Sequence, residues 1–241
     1  MDLRLKGKSV LVTGGSKGIG LACAKAFVAE GCRMHIAARD KERLAQAAKT
    51  LGGDVKTHSV DLRDGAALKS LAKDCGDVDI LVNNAGDIPG GTIETLDEAK
   101  WRHAWELKVF GFINLTRELY PRLKTRKGVI VNVIGMAGEH GTFEYICGAT
   151  ANAGLANFTR ALGRGYAQHG VRAVGVHPPS TRTDRIITLM KVQAKAKFGD
   201  ESRYEELMGN VIEPEQVGDA VCFLASPRAG QLSGVMLNLG A

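Results

Sequence analysis

The chain is poor in aromatic residues, in proline and in long apolar runs. Phe, Tyr and Trp together make up 5% of its 241 residues, and they form no paired stacking platform beside a basic helix. Nucleic acid is therefore not an expected partner, although the formal net charge is +6, because the Lys and Arg residues are spread along the chain rather than gathered on one element. A bilayer-spanning helix needs some 18 or more consecutive apolar residues, and no such run exists, so no membrane association is expected. Met1 to Lys8 alternates charged and apolar residues without the apolar centre of a signal peptide. The five cysteines, Cys23, Cys32, Cys75, Cys147 and Cys222, are odd in number and never spaced as a metal or redox pair. That usage fits a reducing, cytoplasmic location and gives no sign of a metal centre. Internal repeats and low-complexity segments are also missing.

What the chain does contain is regular alternation. Short apolar, β-branched runs occur at Val10–Val12, Met34–Ala37, Val55–Val60, Ile80–Val82, Val129–Val133, Val171–Val176 and Met236–Leu239. Each of the first six precedes a longer stretch with helical periodicity or a helix-start signal. Strand–helix alternation predicts one α/β domain over residues 1–241, a doubly wound, seven-stranded parallel sheet with helices on both faces. The longest departure, from Pro178 to Asn210, makes 181–211 an insertion beyond the sixth strand's carboxyl end, where this architecture covers a substrate.

Thr13-Gly14-Gly15-Ser16-Lys17-Gly18-Ile19-Gly20 closes the first strand and opens the first helix. Glycines at 14, 18 and 20 permit a tight turn, close approach of a pyrophosphate and close packing of the helix, whose free N–H groups then face the phosphates. Asp61-Leu62, Asn83-Asn84-Ala85-Gly86 and Pro178 fall at the carboxyl ends of the third, fourth and sixth strands, along the same rim. With Phe223-Leu224-Ala225-Ser226 near the C-terminus, these motifs make the chain resemble the short-chain dehydrogenase/reductase family over nearly its whole length. The resemblance implies a Rossmann-like domain acting on a small-molecule carbonyl or alcohol. It also implies that residues 14–20 hold the pyrophosphate, that Asp61 and Leu62 flank the adenine, and that Asn83, Ala85 and Gly86 support the adjacent ribose.

The choice of dinucleotide turns on the end of the second strand, where an acid would bind a ribose 2′-hydroxyl and repel a 2′-phosphate. Ala37-Ala38-Arg39 has no acid there. Arg39 can fork onto a phosphate and Lys17 adds a second charge, so NADP is favoured. Asp40 follows at once and keeps NAD open.

By the same resemblance the reaction centre should carry Asn, Ser, Tyr and Lys, and all four differ here. Asn152 stands in the lysine position, Gly148 in the tyrosine position, Gly135 in the serine position and Lys108 in the asparagine position. Asparagine and lysine have exchanged places, which can preserve a cation beneath the nicotinamide ribose. Tyr145 lies three residues before Gly148, one helical turn away, and the missing side chain at 148 opens room for its phenol. Tyr145 is accordingly the expected proton donor, with Lys108 lowering its pKa and Asn152 fixing a water or the lysine. Glu139 and His140 are reserve acid–base candidates.

The insertion mixes Arg182, Arg185, Lys191, Lys195 and Lys197 with Ile186, Ile187, Leu189, Met190 and Val192, as an amphipathic lid would. Its cations read as solvated or as contacts to an anionic substrate. Pro179 replaces a family glycine, Val174 a family asparagine, and the ending Leu237–Ala241 departs from the family's Asp-Gly-Gly. The resemblance implies a homodimer or homotetramer built on the fourth and fifth helices, where Trp101, Trp105, Phe110 and Phe112 offer large anchors. Three functions stay open: an NADP-dependent oxidoreductase with a rearranged site, a cofactor-binding protein without redox turnover, and a lyase or dehydratase on the same scaffold.

Overall fold

Continuous runs such as Ser9–Thr13, SVLVT, are buried on both faces, the pattern of strands at the centre of a covered parallel sheet. The computed structural model describes residues 1–240 apart from the side chains of Val192, Gln193 and Ala196, so the lid residue Val192 and the terminal Ala241 lie outside the described residues. Seven parallel strands appear: β1 Ser9–Thr13, β2 Arg33–Ala38, β3 Val55–Ser59, β4 Ile80–Asn83, β5 Val129–Val133, β6 Arg172–His177 and β7 Met236–Asn238. Their order is β3-β2-β1-β4-β5-β6-β7. The direction of winding reverses between β1 and β4, which pair from Val10↔Ile80 to Val12↔Val82. A crevice for ligands opens at the carboxyl ends of strands at such a reversal.

Alternate residues of each strand feed two cores. Val10, Val12, Val82, Val131 and Val176 pack with Phe27 of α1 (Gly18–Ala29) and with Val217 and Val221 of α10 (Pro214–Ala225). Leu11, Leu81, Ile130 and Ala173 face the other way, onto Leu68 and Leu71 of α3 (Gly65–Cys75) and Leu115 and Leu119 of α5 (Gly111–Arg126). Slipping a strand by one residue would exchange the two sets, which fixes the register. Asp40 and Asp64 cap α2 (Lys41–Leu51) and α3, accepting from the backbone amides of Arg43 and of Ala66 and Ala67.

Two local features matter for the site. Lys108 lies between two α-helices: α4 (Glu98–Trp105) is followed by a five-residue π segment (Glu106–Phe110) and then α5. The wider π turn carries Lys108 inward, and π segments are frequent at functional sites. Tyr145 is not on a helical face: it is the N-cap of α6 (Ile146–Arg164), with φ −137° and ψ 32°. The insertion folds as α8 (Asp184–Phe198), capped by Thr183, followed by a 3₁₀ turn and α9 (Glu205–Met208). The short α7 (Tyr166–His169) follows α6. No helix among the described residues is long and apolar enough to cross a membrane.

Candidate active site

The glycine turn is held from below by β4. Thr13 is buried at the end of β1, and its hydroxyl oxygen accepts from the Asn84 and Ala85 amides at 2.9 and 3.1 Å. The Asn84 amide group donates to the Thr13 carbonyl at 3.0 Å. A Cβ on Gly20 would collide with the Gly14 carbonyl and lie 2.5 Å from Asn84 Nδ2, and one on Gly18 would press on Thr183 at 3.2 Å. Gly14 has φ +66°, which a side chain disfavours. No side chain caps the first amides of α1, which leaves them with the donors and dipole end an anion needs. Ser16 and Ile19 are half-buried around this turn and Lys17 is exposed beside it.

Other rim residues divide between surface and core. Arg39 is exposed, whereas the Asp40 carboxylate is committed to the α2 cap and to Arg43, 3.3 Å away. Asp61 is bonded by Arg63, whose guanidinium holds its carboxyl below the usual carboxylate range. Leu62 is 4% exposed and belongs to the core, so only its backbone faces the rim. The Asn83 side-chain amide is fully buried and donates to Asn132 and Thr116 at 2.9 and 3.2 Å, which leaves its backbone to meet a ribose. Ala85 and Gly86 remain on the rim, and Pro178 is buried with its carbonyl bonded to the Met136 amide at 3.0 Å.

At the reaction centre, two absent side chains are matched by two present ones. A Cβ on Gly148 would fall inside the Tyr145 ring, 2.6 Å from its phenol oxygen, so the ring already occupies the space over residue 148. Tyr145 packs, as Trp101 and Trp105 do, against a buried cluster that includes Ile88, Leu96 and Cys147. A Cβ on Gly135 would lie 2.9 Å from Asn152 Nδ2, and that nitrogen approaches the Gly135 carbonyl at 3.4 Å. The Asn152 Oδ1 atom is buried and takes no hydrogen bond from the described residues. Asn152 therefore sits over Gly135, and of the two roles expected of it, holding the lysine or holding a water, no hydrogen bond to Lys108 is made among the described residues.

Lys108 is 8% exposed and donates to the Ile134 carbonyl at 2.7 Å. Burial first, and then the Arg185 charge, bring its ammonium down to about 7. A lysine so held is lost as a permanent cation near neutrality. Burial raises the Tyr145 phenol, and the opposing cation beside it is Arg185 of α8. Arg185 also donates to the Ile88 carbonyl and stands 3.9 Å from Asp87. The sequence offered Arg185 only as one of several lid cations; its approach to Tyr145 spans forty residues and leaves no local signal. Arg182 is instead tied to Glu205 and Glu213, and Lys191 lies over the Tyr204 ring. Of the reserve candidates, His140 is exposed, while Glu139 lies 3.7 Å from His177, a fully buried histidine that sequence reading missed.

Lys108 gives a stability test. Between pH 7 and 10.5 the unfolded chain holds a proton that the native chain has released, so stability rises with pH across that window. In the absence of nucleotide, the melting temperature of wild type should climb from pH 7 to 9.5 relative to that of Lys108→Met. Parallel curves for the two proteins would place the lysine in water.

Away from the site, His35, His58 and Cys75 converge. The two rings have nitrogens 2.9 Å apart, centroids 5.2 Å apart and planes only 17° apart. That is the edge-to-edge geometry of one N–H···N hydrogen bond.

The comparisons agree with this architecture. A family described as short chain dehydrogenase matches residues 8–193. The 3-oxoacyl-[acyl-carrier-protein] reductase of Vibrio cholerae is 32% identical, over 98% of this chain and 97% of that protein. L-sorbose reductase from Gluconobacter frateurii, solved with NADPH and L-sorbose, superposes with a TM-score of 0.93 at 28% identity, covering 99% and 97% of the two chains. A 7α-hydroxysteroid dehydrogenase solved with NADH and 7-oxo glycochenodeoxycholic acid gives 0.84 at 26% identity, covering 99% and 94%. The chain belongs to the short-chain dehydrogenase family, as an oxidoreductase of carbonyls and alcohols.

Proposed function

We propose that the chain is an NADP-dependent reductase of a small-molecule carbonyl, working with a rebuilt acid–base site. The observation that carries this reading is the complementarity at the two glycines: the Tyr145 ring fills the space above Gly148, and the Asn152 amide fills that above Gly135. Unselected loss of the catalytic side chains would not supply a phenol at one position and an amide at the other.

The glycine cradle and the uncapped start of α1 fit a dinucleotide. Thr13, Gly14, Ser16, Lys17, Gly18, Ile19 and Gly20 would hold its phosphates, the Asp61–Leu62 corner its adenine, and Ala85, Gly86 and Pro178 its nicotinamide half. The nicotinamide supplies or accepts the hydride. Tyr145 gives its phenolic proton to the substrate oxygen, with Arg185 stabilising the phenolate, and the Asn152 amide orients that oxygen as a hydroxyl would. Lys108 holds the Ile134 carbonyl and thereby the turn that carries Gly135. Residues 181–211 cover the substrate, with α8 bringing Arg185 to the phenol. The homodimer or homotetramer is assigned to the outer faces of α5 and α6, where Ile113, Tyr120 and Phe158 line an apolar hollow.

A panel of ketones, oxoacids and aldehydes followed at 340 nm with each nicotinamide cofactor tests the reading. Turnover with NADPH supports it. NADP binding without absorbance change across the panel would favour the nonredox alternatives. Arg39 makes the preference for NADP: an Arg–phosphate contact of about 1.5–3 kcal/mol corresponds to a loss of about 10–150-fold in NADP affinity for Arg39→Ala, with NAD affinity unchanged. Fluorescence titration with both nucleotides reads the difference.

A further inference from the structure

Beneath Gly135, a group of buried polar atoms takes no hydrogen bond from the described residues. His177, the last residue of β6, is fully buried; its ring faces the Gly135 carbonyl, yet neither Nδ1 nor Nε2 completes a well-formed hydrogen bond among them. Asn152, whose amide nitrogen approaches the same Gly135 carbonyl at 3.4 Å, has a buried Oδ1 that takes no hydrogen bond among them either. A buried polar atom left unpaired is costly, so two side chains in this state against one backbone carbonyl call for a polar guest.

The groups facing the imidazole are on three elements. Glu139, on the loop after β5, has an oxygen 3.7 Å from Nε2, and its side chain is 29% exposed. Arg160 of α6 stands 3.6 Å from the same carboxylate. Lys108 of the π segment and the Gly135 carbonyl complete the surroundings. Burial holds the imidazole below 6.5, Glu139 and the Gly135 carbonyl favour its protonated form, and Arg160 and Lys108 oppose it. A carboxylate open to solvent at one end and an enclosed imidazole at the other are the parts of a proton path.

We propose that Glu139 and His177 form a proton-exchange pair that connects solvent to the floor of the site at Gly135 and Asn152. The inference rests on the reductase reading for its purpose. When Tyr145 gives its proton to the substrate oxygen, a phenolate remains. The imidazolium of His177 passes a proton to a water held at Asn152 Oδ1, which passes one to the phenolate, and the neutral imidazole regains its proton from solvent by way of Glu139. One proton enters for each proton delivered to the alcohol product, and no electrons move along this path. Both residues act through others and are relay residues rather than groups that touch the substrate.

Glu139→Gln is the test, because that side chain is partly exposed and the change keeps its shape. Imidazole ¹H–¹⁵N spectra of the NADP complex should show His177 titrating at lower pH in Glu139→Gln than in wild type. This measurement needs no turnover. In rapid mixing, the first turnover should proceed at the wild-type rate while steady-state kcat falls about tenfold or more, part of the 10²–10⁴ attached to a positioned proton donor. Formate, small enough to reach the vacated carboxylate position, should restore kcat in Glu139→Ala. An unmoved His177 titration would overturn the pair. So would a first turnover slowed in step with kcat, which is what a merely structural Glu139 gives. A protein that keeps the coupling but reduces no carbonyl would sustain the pair and overturn the reductase reading instead.

Discussion

Tyr145→Phe should lower kcat/KM for carbonyl reduction by about 10²–10⁴-fold, the range attached to a positioned proton donor, while leaving NADP affinity within a factor of two. The ring of phenylalanine keeps the packing against the cluster that includes Ile88, Leu96 and Cys147, so the variant removes one oxygen and little else. The direction of the pH dependence follows from the groups around the phenol. Burial raises its pKa and the Arg185 guanidinium opposes that rise. An arginine stays charged throughout the working range, so the phenolate is stabilised at every pH at which the protein is folded. Arg185→Met should therefore move the alkaline limb of the kcat/KM profile to higher pH. Activity of Tyr145→Phe within a factor of two of wild type removes the phenol from the mechanism.

How much of this was legible before folding differs between the scaffold and the site. Strands such as Val129–Val133 are β-branched runs buried on both faces, and the glycine turn is a contiguous motif, so both are written in consecutive residues. Lys108, Gly135, Gly148 and Asn152 read as replacements through the family resemblance, carried by the same kind of contiguous motif. What the periodicity did not carry is the direction in which individual side chains turn. Asn83 reads as a rim residue but closes a buried hydrogen-bond chain with Asn132 and Thr116. Glu106–Phe110, ELKVF, contains no glycine or proline to signal the π turn that inverts Lys108. Tyr145 was placed one helical turn from Gly148, whereas its ring reaches the same space from a capping conformation.

The long-range partners were the least accessible. His177 and Glu139 are thirty-eight residues apart, and Arg185 meets Tyr145 only because α8 folds back over the rim. Each member looks ordinary alone: a histidine before a proline, a loop glutamate, a lid arginine. Their significance lies in burial and in unpaired nitrogens, which are properties of the packed chain.

Gly148→Ala puts the complementarity at the centre of the site to its strictest test. Glycine inside a helix is ordinarily unfavourable by roughly 0.5–1 kcal/mol relative to alanine, so on helix propensity alone this substitution in α6 should stabilise the protein. The geometry gives the opposite sign, because the added methyl group would overlap Cε1 and Cζ of the Tyr145 ring and force that ring out of its seat. The expected result is a lower melting temperature and a kcat/KM reduced by about 10²-fold or more, with NADP affinity retained. If both residues serve one function, the double variant Gly148→Ala/Tyr145→Phe should be no slower than Tyr145→Phe alone, since a phenol already displaced has nothing further to lose. Additive losses would mean that the glycine and the tyrosine act separately, and that the ring above residue 148 is packing rather than chemistry.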